Sequence, residues 1–147
     1  MSKVEDFLTP SEESEVIDAI RKAEFQTSGE IRVHLESHCK KEAMTHAIEI
    51  FKILHMDNTK NSNGVLIYIA VNDQTLVILG DEGINKVVPN DFWESTKNII
   101  ISHIKKGNTK NGLVKGILKA GEQLKKFFPY SLDDSNELPD SISFGEN

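Results

Sequence analysis

A single cysteine, Cys39, rules out any internal disulfide and with it the small disulfide-stapled scaffolds. No apolar run approaches the roughly 18 to 20 residues that a bilayer span requires. The opening Met1-Ser2-Lys3-Val4-Glu5-Asp6 has no apolar stretch of the signal-peptide kind. A cytoplasmic location is the expectation from these absences. Positive charge is missing from one end. After Lys126 there is no Lys or Arg, while Asp133, Asp134, Glu137, Asp140 and Glu146 follow. Those five supply most of the net charge of −6 and leave the remainder of the chain near −1. No basic stripe is available to track a phosphate backbone, so nucleic acid is not an expected partner. Also absent are Gly-x-x-x-x-Gly-Lys, Gly-x-Gly-x-x-Gly, Gly-x-Ser-x-Gly, Cys-x-x-Cys and the Asp-x-Asp loop of EF-hands, and the chemistry each carries goes with them.

What is present centres on Asn63-Gly64-Val65-Leu66-Ile67-Tyr68-Ile69-Ala70-Val71. So short and continuous an apolar run, rich in β-branched residues, predicts a strand buried on both faces. Asn72-Asp73-Gln74 breaks it and Thr75-Leu76-Val77-Ile78-Leu79 resumes at once. That gap is too short for a crossover helix, so the two runs form an antiparallel hairpin. The return strand carries the acidic turn Gly80-Asp81-Glu82-Gly83 back beside Asn63 and Gly64.

The other elements follow from periodicity. Thr9-Pro10-Ser11-Glu12 combines a capping residue, a proline suited to the first helical position and a capping-box glutamate. Val16, Ile17, Ile20 and Ala23 follow at helical spacing, with Glu24 ending the apolar face. Residues 30–37 alternate: Ile31, Val33 and Leu35 share one side, Arg32, His34 and Glu36 the other. The expectation is a half-buried strand, less central than 65–71. Ala43, Ala47, Ile50, Phe51 and Leu54 mark a second helix, which makes the first two strands parallel through a right-handed crossover. Residues 83–88 read as a helical turn or a short edge strand. Helices are then expected from Pro89-Asn90-Asp91 to Gly107 and from Asn111-Gly112 to Pro129, with close backbone packing at Gly116 and Gly121. The predicted architecture is one α/β domain over 1–129, with helices on both faces of a small mixed sheet, and a flexible acidic tail over 130–147.

Strand direction gathers the candidate site. Parallel strands one and two begin at one end of the sheet, and strand three finishes there. Thr27, Ser28 and Glu30, then Asp57, Asn58, Thr59 and Asn63, then Asp81 and Glu82 therefore share one rim. Oxygen donors without thiolate or imidazole favour hard cations, Ca²⁺ or Mg²⁺. The bland alternative makes Asp57 and Asp81 helix caps and leaves Glu82 in solvent. A rival site at the opposite strand ends is Ser37-His38-Cys39-Lys40, where His38 and Cys39 form a nucleophilic pair only if a third group orients the histidine. His34, His46, His55 and His103 show no metal-ligand spacing and read as surface or half-buried residues.

The series Thr27-Ser28-Gly29-Glu30-Ile31-Arg32-Val33, then Met56-Asp57-Asn58-Thr59 with Asn63-Gly64-Val65-Leu66-Ile67-Tyr68, then Ile78-Leu79-Gly80-Asp81-Glu82-Gly83-Ile84, resembles the TPM domain family. Phe92-Trp93, Gly112-Leu113, Gly116-Ile117 and the tail Asn136-Glu137-Leu138-Pro139-Asp140 fit it too. The resemblance spans about residues 8 to 129 and suits a small soluble bacterial member. It implies a Rossmann-like αβα sandwich and divalent-cation binding at the acidic loops. It also implies one of two roles: an accessory or interaction module with a protein partner, or a weak metal-dependent acid phosphatase, an activity attributed to plant thylakoid members. For the second, the cation would polarise a phosphoryl oxygen with Asp81 or Glu82 as base. Neither Asp-x-Asp-x-Thr nor Arg-His-Gly is present to supply phosphatase chemistry otherwise. The chain is taken as a monomer.

Overall fold

The computed structural model describes residues 7–130 and 142–145. Helix α1 (Pro10–Glu24) starts as its sequence dictates: the Glu12 N–H donates to Thr9 Oγ1 at 3.1 Å and the Thr9 N–H to Glu12 Oε1 at 3.0 Å. Strand β1 (Glu30–Glu36) follows, then α2 (Ala43–Ile53), β2 (Gly64–Ala70) and β3 (Thr75–Gly80). A single turn of helix, α3 (Glu82–Asn85), resolves the ambiguity over 83–88. Helix α4 (Glu94–Lys105) begins a few residues later than Pro89 suggests, because residues 91–93 form a turn. Helix α5 (Thr109–Leu124) begins slightly before Asn111.

The sheet runs β3-β2-β1-β4, where β4 is Ile142–Phe144. β1 is parallel to β2, with Glu30 opposite Gly64, and β3 returns antiparallel, with Gly80 opposite Val65. Every residue of β2 is buried, as its unbroken apolar run requires. Ile31, Val33 and Leu35 of β1 join Val65, Ile67 and Ile69 of β2 under α1, α4 and α5. Leu66, Tyr68 and Ala70 face the other way, onto Ala47, Ile50 and Phe51 of α2. The fold is a three-layer αβα sandwich, with three long helices on one face and one on the other among the described residues. The close helix approach expected at the glycines is present: a Cβ on Gly121 would lie 2.7 Å from Ala23 Cβ, and one on Gly116 would collide with Ile100.

Strand β4 corrects two expectations. It lies within the segment read as a flexible tail and pairs parallel to β1, Val33 opposite Ile142 and Leu35 opposite Phe144. The rest of that segment from residue 131, apart from Gly145, lies outside the described residues. β1 consequently has a neighbour on each side, and its polar face is buried: His34 is 4% and Glu36 6% exposed. Where β4 does not reach, the Ile31 N–H is taken by Glu24 Oε2 at 2.9 Å, which accounts for the carboxylate ending the apolar face of α1.

Candidate functional site

Three chain segments meet at the rim through backbone hydrogen bonds. The Glu30 N–H donates to Asn63 O at 3.2 Å, the Asp81 N–H to Gly64 O at 3.0 Å and the Gly83 N–H to Ser62 O at 2.8 Å. Gly83 is required there, since any Cβ would strike the carbonyl oxygens of Asn61 and Ser62. The loop between α2 and β2 holds two non-glycine residues at positive φ, His55 at 57° and Ser62 at 50°.

Strand direction thus brings Glu30, Asn63 and Asp81 to one end of the sheet. Glu30 is buried, at the head of the β1 face that looks toward α2. Asp81 caps α3, its Oδ1 accepting the Glu82 N–H at 2.8 Å, as the bland alternative supposed. Glu82, Asp57 and Asn58 are exposed, and Thr59 Oγ1 accepts the Asn63 N–H at 3.1 Å. Asn63 is 1% exposed. Its Nδ2 donates to Ser28 O at 3.2 Å, while its Oδ1 is buried with no hydrogen-bond partner. Among the described residues, no three Asp, Glu, His or Cys side chains converge as a cation-holding group. The carboxylates share a rim without closing on one point.

A second constellation sits on the α2 face. His34 Nε2 and His46 Nε2 each lie 3.1 Å from Glu36 Oε1, and the Tyr68 hydroxyl donates to Glu36 Oε2 at 2.6 Å. Burial alone would raise the Glu36 carboxyl, but the hydrogen bonds from Tyr68, His46 and His34 prevail and hold it below its ordinary value. Burial depresses His34 against the pull of Glu36, which favours the neutral ring. A neutral His34 donates from Nε2 to Glu36 and leaves Nδ1 to accept the Ser143 hydroxyl at 2.7 Å. Burial, with Cys39 and Glu36 adding to it, pushes Tyr68 far above the usual phenol range. His46 Nδ1 is buried without a hydrogen-bond partner, the nearest carboxylate oxygen being Glu49 Oε1 at 4.0 Å.

This network corrects the placing of His34, which is buried rather than at the surface or half-buried, while His46 is half-buried as expected. The network's one legible signal was Tyr68, whose hydroxyl in an apolar strand must find an acceptor. The rival pair also takes form. Asp73, from the β2–β3 turn, orients His38 with Oδ1 2.7 Å from Nδ1, and its Oδ2 accepts the Cys39 N–H at 2.7 Å. The orienting group exists, but Cys39 Sγ donates to Lys41 O at 3.2 Å. The thiol proton is committed there.

Fold and rim together define a three-layer α/β domain whose loops present oxygen donors at the amino ends of its parallel strands. The pattern of the TPM domain family matches residues 1–123, and the chain belongs to that family. It is similar to the BA42 protein of the psychrophilic bacterium Bizionia argentinensis, with 56% identity over 99% of this chain and 100% of that one and a TM-score of 0.92. The fold is shared with the N-terminal domain of a protein from P. gingivalis, at 19% identity and TM-score 0.68, covering 83% of this chain and 79% of the other. The N-terminal domain of the cg2496 protein from Corynebacterium glutamicum shares it too, at 11% identity and TM-score 0.61, covering 95% and 82%. No curated protein matches. Among the described residues, no helix is long and apolar enough to cross a membrane.

Proposed function

We propose that this TPM domain binds a divalent cation, Ca²⁺ or Mg²⁺, at the rim and serves as an accessory module for a protein partner. The observation that carries the proposal is Asn63 Oδ1, a buried acceptor without a donor among segments bearing Asp57, Asp81, Glu82 and Glu30. An uncompensated buried carbonyl costs about 1 to 3 kcal/mol, which a cation would recover. Asn63, Asp57 and Asp81 would hold the ion, with Asn58, Thr59, Glu30 and Glu82 at hand. Asp57 and Glu82 are exposed and free to swing inward, which suits flexible calcium coordination better than the strict octahedron of magnesium. When bound, the cation supplies neutralising charge that ties the 57–63 loop to the 81–83 turn. The residues themselves set the separation of those loops through the Gly83–Ser62 and Asp81–Gly64 hydrogen bonds.

The test is a titration of the chain with CaCl₂ and with MgCl₂, followed by amide chemical shifts. Saturable shifts at Asp57, Asn63 and Asp81, lost in the Asp57→Asn, Asp81→Asn double variant, are the expected result. Unchanged affinity in a folded double variant would overturn the proposal. Hydrolysis of an aryl phosphate that required Asp81 would instead favour the phosphatase reading.

A further inference from the structure

Helix α2 packs chiefly on β2 and β3, and a cleft of about 520 Å³ opens beside it over the ends of β1 and β4. It lies toward the opposite end of β1 from the rim and shares no residue with it. β1 is the strand at which the chain changes direction. From β1 it crosses through α2 to β2, whereas it reaches β4, on the other side of β1, after α5 on the opposite face. In open α/β sheets, ligands sit in the crevice outside the carboxyl ends of the strands at such a point. The loop leaving β1, the end of β4 and the flank of α2 supply this cleft. Its volume lies in the range of small-molecule sites, about 300 to 1,000 Å³.

The lining has two characters. The hydrocarbon part is Ile50 and Ile53 of α2 with Leu54 at its end. Ile53 is 67% exposed, an apolar surface left in water. The rest includes basic or imidazole groups: His38, Lys40, Lys41 and His46. Among the described residues the one carboxylate lining the cleft, Glu36, already holds three hydrogen bonds and is 6% exposed. Lys41 is paired with Glu49 at 2.9 Å, but no carboxylate among the described residues pairs with Lys40. An apolar surface sharing a cleft with an uncompensated ammonium is complementary to a molecule with one negative end and one greasy end.

We propose that this cleft binds a small organic acid, its anionic head at Lys40 and its hydrocarbon body along Ile50, Ile53 and Leu54. His38 adds a polar edge beside the head group, fixed in place by Asp73. The Glu36 network below makes the floor rigid, since His34 and His46 are both held by one oxygen.

Sodium octanoate is the probe, titrated into the full chain and followed by amide shifts, with octanol and octylammonium chloride as matched bodies carrying no charge and the opposite charge. Saturable shifts confined to the 38–41 loop, the end of α2 and residues 144–145 are expected. Lys40→Glu should weaken octanoate binding about tenfold, the effect of losing one close charge partner. Ile53→Asn should weaken octanoate and octanol alike. Both positions are exposed, so the variants should keep the fold, which their amide spectra would show. Asp81→Asn, at the rim, should leave octanoate affinity unchanged, so failure here is separable from failure of cation binding. Octylammonium binding as tightly as octanoate, shifts outside the cleft, undiminished binding by Lys40→Glu, or no saturation with octanoate would each overturn the proposal.

Discussion

Ser143 lies 109 residues beyond His34 in the chain, yet the two side chains meet at 2.7 Å. That contact fastens β4 to the buried Glu36 network. Glu36 holds donors from three elements: His34 on β1, Tyr68 on β2 and His46 on α2. One carboxylate thereby ties the sheet to α2, the one helix on its face among the described residues.

Replacing that carboxylate strands its donors. Glu36→Ala leaves the Tyr68 hydroxyl and two imidazoles without their acceptor in a largely buried site, and should cost about 2 to 4 kcal/mol of stability. Glu36→Gln keeps one acceptor oxygen and should cost less. Urea unfolding of the two variants measures the difference. Equal stability of Glu36→Ala and the parent chain would show that the network contributes nothing.

The same network sets the response to acid. His34 is depressed below its ordinary 6.5 in the fold, so the unfolded chain binds the proton first and stability declines as pH falls through that value. Glu36 is held below its ordinary 4.5, so its contribution is full above that value and is lost as pH falls further, through the folded pKa. Stability should therefore be level above about pH 7 with respect to both groups, decline first below about 6.5, and fall more steeply below about 4.5. His34→Gln should remove the first decline and leave the second. Chemical denaturation across the pH range checks both.

Helix packing on the other face tolerates no added carbon. A Cβ at Gly121 would lie 2.7 Å from Ala23 Cβ and 2.9 Å from its Cα, which is backbone and cannot swing away. Gly121→Ala gains helix propensity but must separate α1 from α5, and a net loss of about 1 to 3 kcal/mol is expected from overpacking. A thermal melt that showed a gain would mean the helices can part without cost.

Local pattern carried most of the fold. The capping box at Thr9 and Glu12, the unbroken run of β2 and the short break before β3 each depend on neighbours in sequence, and each appears as its spacing requires. The rim was legible for the same reason, because strand direction alone brings Glu30, Asn63 and Asp81 together. Whether their side chains turn toward one another depends on loop conformation, which spacing does not encode. β4 was not legible: Ile142-Ser143-Phe144 is three residues within an acidic segment, and its pairing is wholly long-range. With β4 unseen, the alternation of His34 and Glu36 looked like a solvent face. The cleft beside α2 was hidden with it.

The late position of β4 also gives the fold an order of assembly. Every other described element precedes it in the chain, so on a ribosome β1, β2, β3 and all five helices emerge first. Until Ile142–Phe144 follows, the outer edge of β1 has no strand beside it, and Ser143 is not there to meet His34. A nascent chain paused after α5 would expose an open edge of the kind that invites mispairing. Closing that edge and completing the border of the cleft at Ser143 and Gly145 are the same late event.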